Sequence, residues 1–128
     1  MEKGKMIRRY IVAGGVRFED YETLKTILDD LFIEIPKDEI EIVSGHAKGA
    51  DSLGERYAAE NNLKCTIFPA DWGKYSKAAG PIRNRQMLEY ALEEEAHLVA
   101  FWNGESKGTK NMIDIATKAG IEIITVSY

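Results

Sequence analysis

At 128 residues the chain is long enough to bury roughly two-thirds of its unfolded surface in one core, so residues 1–128 read as a single domain. An apolar fraction of 45% beside 30% charged residues is ordinary for a soluble globular protein, and no apolar run approaches the ~20 residues of a membrane span. The net charge of −4 disfavours nucleic acid as a partner, because polymer binding draws on clustered excess Lys and Arg.

Met1 to Arg9 is short and basic and carries no signal-peptide pattern. It leads into a β-rich run, Met6 to Ala13, that ends at Gly14-Gly15. Asp20 is placed to cap a helix from Tyr21, with Tyr21, Leu24, Ile27, Leu28, Leu31 and Phe32 on one apolar stripe. Pro36 ends that region. Glu39 to Ser44 alternates as a strand and closes on Gly45, and Asp51 to Asn62 reads as a second helix carrying Leu53, Tyr57 and Ala58 inward.

Lys64 to Pro69 gives a third strand. Its Cys65, the single cysteine, cannot form an internal disulfide and suits a reducing cytoplasm. Asp71 to Gly80 is a long connection, and long loops in small domains are often functional. Pro81 takes a favoured early helical position, with Ile82, Leu88, Ala91 and Leu92 along one face. His97 to Trp102 is a fourth strand, Thr109 to Lys118 a helix capped by Thr109 and stopped at Gly120, and Ile121 to Val126 the fifth strand.

Alternating strands and helices with no linker or repeat imply parallel βαβ units with right-handed crossovers. The expected fold is an α/β, Rossmann-like three-layer sandwich on a five-stranded parallel sheet of order 3-2-1-4-5. That order puts a crevice between the first and fourth strands, at the topological switch point. Four glycine-marked loops fall where strands hand over to helices: Gly14-Gly15-Val16-Arg17-Phe18, Gly45 to Asp51, Ala79 to Asn84, and Asn103 to Thr109. Helix N-termini at one sheet edge offer free N–H groups and a positive dipole end, which suit phosphate.

The familiar signatures are missing. There is no GxxxxGK[ST], GxGxxG, CxxC, HExxH or GxSxG, and His46 and His97 are the only histidines, so no metal, cofactor or serine-type triad is expected. His46 reads as a solvated loop residue and His97 as structural. Glu89, Glu93, Glu94 and Glu95 read as the solvated face of one helix. Within Asp71 to Arg85, by contrast, Lys74, Lys77, Arg83 and Arg85 against Asp71 leave a local balance of +3, which could receive a small anion.

Gly14 and Gly15 would admit a ligand close to the backbone, with Arg17 as a planar fork for phosphate or carboxylate. Asp51 reads either as an N-cap or as a contact to a group such as a ribose hydroxyl. Trp72 reads either as a stacking platform for a base or as a core or lid aromatic. Arg83 and Asn84 follow Pro81 in what reads as the first turn of a helix, where the dipole disfavours a cation, so Arg83 points to an anionic partner.

In order and spacing, GGVRF, SGHAKGAD, AGPIRNRQM and GESKGTKNMI resemble the SLOG superfamily, in particular its YspA/cpYpsA-related branch of small single-domain proteins. The resemblance spans nearly the whole chain. It implies a Rossmann-like fold and a pocket for nucleotides or derivatives such as ADP-ribose. Relatives include cytokinin-activating phosphoribohydrolases, whose motifs read roughly PGGxGTxxE and RKxxM. Arg83 and Met87 match the second with Asn84 in place of Lys; Gly108-Thr109 matches the first, but Met112 stands at its glutamate.

Methionine can neither stabilise a cationic sugar-like transition state nor activate water, so binding is the leading reading. The ligand would be a small nucleotide held by a sensor, carrier or sequestering module, on Gly14, Gly15, Arg17, Ser44, Gly45, Ala47, Gly49, Asp51, Trp72, Arg83, Asn84, Gly104, Ser106, Gly108 and Thr109. Asp51 and Glu105 are the candidates for catalysis should the ligand instead be hydrolysed at an N-glycosidic or phosphoester bond. DNA-processing relatives suggest single-stranded DNA binding as a third reading. Relatives also pair, so a homodimer is the protein partner the resemblance implies.

Overall fold

A computed structural model describes residues 5–128; Met1 to Gly4 of the basic leader lie outside them. Five strands, β1 (Arg8–Gly14), β2 (Ile40–Ser44), β3 (Lys64–Ile67), β4 (Glu95–Trp102) and β5 (Glu122–Ser127), form one sheet of order β3-β2-β1-β4-β5. Every pairing is parallel. The expected architecture and strand order are therefore the ones observed.

The two layers around the sheet follow from side-chain alternation along β1. Tyr10 and Val12 join Ile42, Val99 and Phe101 in one core, under Leu24 and Leu28 of α1 (Tyr21–Phe32) and Tyr57 and Ala58 of α2 (Ala50–Glu60). Ile11 and Ala13 face the other way, against Met87, Leu88 and Ala91 of α4 (Ala79–Ala91) and Met112 and Ala116 of α5 (Lys107–Ala119). No helix among the described residues is long and apolar enough to cross a membrane.

Local capping explains where the helices start, and it corrects two expectations. Asp20 does cap α1, accepting from the Thr23 N–H at 3.1 Å. The cap of α5 is Ser106 rather than Thr109, because the Ser106 hydroxyl reaches the Thr109 N–H. The connection from Asp71 to Gly80 is not an open loop. Asp71 caps a single turn, α3 (Trp72–Tyr75), and a 3-10 turn, Ser76–Ala78, then runs into α4. Helix α4 thus starts two residues before Pro81, and Glu93 to Glu95 fall beyond its end rather than within it.

The acidic strip is also not uniformly solvated. Glu95 opens β4 and meets Arg8 at 3.3 Å and the His97 ring at 2.6 Å. His97 stacks on Tyr10 and reaches Glu122 with its other ring nitrogen, a structural role as expected.

At the N-terminal edge of the sheet, β2 buries Glu41 almost completely (1% exposed). Its carboxylate accepts from Arg9 Nε at 3.0 Å, from the Thr66 hydroxyl at 2.7 Å and from the Tyr90 hydroxyl. Burial alone would raise the Glu41 pKa, but these donors outweigh it and hold the carboxyl below its usual range. Removing one partner of such a buried pair strands the other charge. Glu41→Ala should therefore cost about 3–5 kcal/mol in urea denaturation, and a loss under about 1 kcal/mol would contradict this account of the edge.

Candidate functional site

The chain runs β1, β2, β3 outward on one side and resumes with β4 and β5 on the other. The loops after β1 and β4 therefore diverge, and a cleft opens between them at the C-terminal edge. Its volume is about 110 Å³, and its walls come from the loops after β1, β2 and β4 and from the starts of α4 and α5. Of the residues expected to hold a ligand, Gly14, Ala47, Asp51, Arg83, Asn84, Ser106, Gly108 and Thr109 line it, over a floor of Ala13, Met87 and Met112.

Asp51 is the centre of the cleft's electrostatics. It is 4% exposed and lies in the first turn of α2 without capping it. Gly49 holds the cap position, at φ +83°, where an added Cβ would stand 2.2 Å from the Gly15 carbonyl. The Asp51 carboxylate instead folds back on its own loop and accepts from the Ala47 N–H. Burial pushes its pKa up to about 6, against the pull of Arg83 and the loop N–H groups.

Arg83 is one turn inside α4 rather than at its tip, so a clash with the helix dipole does not describe it. Its guanidinium lies over the second loop, donating to the Gly45 carbonyl and to Asn84 Oδ1. A Cβ on Gly45 would stand 2.5 Å from Arg83 and 2.8 Å from Asp51, so the two charges face each other across that glycine. Burial lowers the Arg83 pKa, and Asp51 raises it back in part. Asn84 ties α4 to α5 by donating to the Gly108 carbonyl and to Asn111 Oδ1.

The remaining candidates separate from this cleft. Ser44 is wholly buried; its hydroxyl donates to Glu55 at 2.7 Å and accepts from the His46 N–H. His46 is exposed, as expected, with its ring against Glu55 at 3.0 Å. Gly45 and Gly49 shape the second loop without lining the cleft, and Gly104 makes an exposed turn at φ +85°. Trp72 is 60% exposed on α3, its ring beside Gly80, and is neither a core residue nor part of the cleft wall.

Gly15, Arg17, Glu105 and Ser106 border a second hollow of about 360 Å³, with Val16, Asn103 and Tyr128. The two catalytic candidates are thus apart: Asp51 is in the cleft and Glu105 on the outer rim. Ala13, Val16 and Tyr128 are wall residues that motif reading passed over, while Met87 and Met112, noted there only for their motif positions, prove to form the floor. Cys65 is half-buried, and burial raises its thiol to about 11, as suits an inert group. Among the described residues no group of three His, Cys, Asp or Glu is placed to hold a metal.

A larger hollow of about 450 Å³ lies at the opposite sheet edge, beside Arg9, Lys37, Glu41, Lys64 and Glu94. The Glu41 carboxylate there is already satisfied by its own chain, and open α/β sheets bind ligands outside the other strand ends. The smaller cleft is the better candidate.

The family model for YspA, cpYpsA-related SLOG proteins matches residues 8–75, from β1 through the Gly14 and Gly45 loops to α3. The chain belongs to this SLOG family. No curated protein matches it. Among solved structures, the SLOG chain resembles DNA processing protein A (DprA) from Streptococcus pneumoniae, with a TM-score of 0.52 and 17% identity over 94% of this chain. The likeness is one of fold, and it spans 59% of the DprA chain.

Because the folded-state pKa of Asp51 lies above its ordinary 3.8, the stabilising effect of its protonation is complete below that value and is lost as pH rises through about 6. A shift of about two units corresponds to about 3 kcal/mol. Asp51→Asn, which cannot ionise, should be more stable than the parent at pH 8 by up to about 3 kcal/mol. That difference should shrink through pH 5 and vanish by about pH 3 in paired urea titrations; a difference independent of pH would contradict the burial argument.

Proposed function

We propose that this SLOG chain binds a small nucleotide or nucleotide derivative of the ADP-ribose type in the switch-point cleft, as a sensor, carrier or sequestering module. The observation that carries the reading is the convergence of Arg83, the α5 N-terminus and the Gly14 and Gly108 backbones on one cleft. Backbone N–H groups and one semi-buried guanidinium suit a phosphate that has left water.

Within the basic segment, Arg83 is the cation placed for a small anion. Arg83 turns inward onto Gly45 and Asp51, which leaves Lys74, Lys77 and Arg85 as the exposed cations of that segment. The half-buried single cysteine fits residence in a reducing cytoplasm. An apolar helix face supports pairing as a homodimer less directly, since the same face serves the core.

A thermal-shift panel of AMP, ADP-ribose, cyclic ADP-ribose and NAD tests binding. A ligand at ~100 times its Kd should add ~2.7 kcal/mol of stability, and Arg83→Ala should lower ADP-ribose affinity at least about ten-fold, in line with loss of a charge-assisted bond. No shift with any compound would count against the proposal. An anion beside Asp51 also favours its protonated form, so ADP-ribose, whose pyrophosphate does not titrate near neutrality, should bind more tightly as pH falls from 8 to 5. Asp51→Asn should flatten that dependence; a flat profile in the parent would oppose it.

Asp51 also favours a second reading, hydrolysis of a nucleotide N-glycosidic bond. Met112 leaves the family glutamate position without a carboxyl, yet Asp51 brings one to the same cleft with a pKa of about 6, suited to proton transfer near neutrality. Chromatography of AMP incubated with the protein decides between them. Release of adenine and ribose 5-phosphate, lost in Asp51→Asn while binding persists, would establish the enzyme; unchanged AMP would leave binding alone.

A further inference from the structure

The cleft is too small for the ligand proposed for it. About 110 Å³ holds roughly four waters at ~30 Å³ each, whereas pockets for whole small molecules run to about 300–1,000 Å³. The neighbouring hollow of about 360 Å³ shares Val16 and Ser106 with the cleft, so the two compartments adjoin. A whole nucleotide outgrows the inner cleft and finds the remaining room by spanning both.

The compartments differ in chemistry. The inner one holds Asp51, Arg83 and Asn84, all at least half-buried, with the α5 N-terminus. The outer one presents two exposed apolar groups, Val16 (63%) and Tyr128 (46%). Arg17 and Glu105 add one charge of each sign at its rim, so it has no net preference for an anion.

Tyr128 is placed as a platform. Its ring packs against Phe18 at 4.9 Å and 64°, and Phe18 in turn lies on Phe101 at 4.6 Å. The ring is thus braced by the core and still half-exposed. Gly15 makes room for it, since a Cβ there would stand 1.9 Å from the Tyr128 hydroxyl.

We propose that Tyr128 is the base-recognition residue of a bipartite nucleotide site: the phosphate-bearing end enters the inner cleft and the nucleobase lies against the Tyr128 ring in the outer hollow. This rests on the nucleotide-binding reading above and assigns to Tyr128 the stacking role that Trp72, which lines neither compartment, does not fill. Stacking of a base on an aromatic ring is largely independent of base identity, so the site selects nucleotides over sugar phosphates more sharply than one base over another.

Isothermal titration with AMP and with ribose 5-phosphate tests it. The parent should bind AMP more tightly. Tyr128→Ala should weaken AMP by roughly five- to hundred-fold, the range of base–aromatic stacking losses, and leave ribose 5-phosphate unchanged. Tyr128→Phe should retain AMP affinity, and Gly15→Ala, by pushing the ring aside, should reproduce the selective loss. Equal weakening of both compounds, or no change in AMP, would overturn the assignment of Tyr128, as would a parent that binds the two equally. A parent that binds neither compound would remove the nucleotide reading itself.

Discussion

The site depends on one constraint, the burial of the Asp51 carboxylate beneath the β2–α2 loop with the Arg83 charge facing it across Gly45. Neither charge is cheap to bury. Asp51 answers by holding on to its proton more tightly, and Arg83 answers by donating to the Gly45 carbonyl and to Asn84. The second loop is thereby fixed to α4, and Asn84 passes the connection on to α5 through Gly108 and Asn111. Three elements distant in sequence are held around one cleft, and no buried side-chain polar atom among the described residues lacks a partner.

Strand order supplies the rest of the geometry. The strand order reverses between β1 and β4, which themselves run parallel, and this opens the cleft, flanked by helices packed on the cores of the two sheet faces. The Glu41 network at the far edge has the opposite character: a buried carboxylate saturated by Arg9, Thr66 and Tyr90. One sheet edge is closed on itself chemically, and the other keeps a carboxyl poised near neutrality.

Much of this was legible in the sequence because it is local. Alternation within β1 and the helical stripe of α1 fix their buried faces, and glycines after β1, β2 and β4 mark loops, whereas Ala79 to Asn84, expected as a fourth loop, lies within α4. What escaped depends on contacts between distant residues. Asp51 sits at a helix start, where sequence leaves a cap and a ligand contact equally open; only the loop above it shows that it is buried and does not cap. The pairing of Arg9 with Glu41 spans 32 residues, so no local pattern announces it. Ser106 outcompetes Thr109 as a cap because α5 begins a turn earlier than its apolar stripe does. Tyr128 has no motif around it; only the packing of Phe18 and the bareness of Gly15 give it a place.

The central claim is that the ligand enters at the C-terminal edge of the sheet, between the loops after β1 and β4. Backbone amide chemical-shift mapping during an ADP-ribose titration tests it most directly. The largest shifts should fall at Gly14, Val16, Ala47, Ser106 and Gly108, with Arg9, Lys37 and Lys64 unmoved. Shifts concentrated at Arg9, Lys37 and Lys64 would place the ligand in the opposite hollow and contradict it.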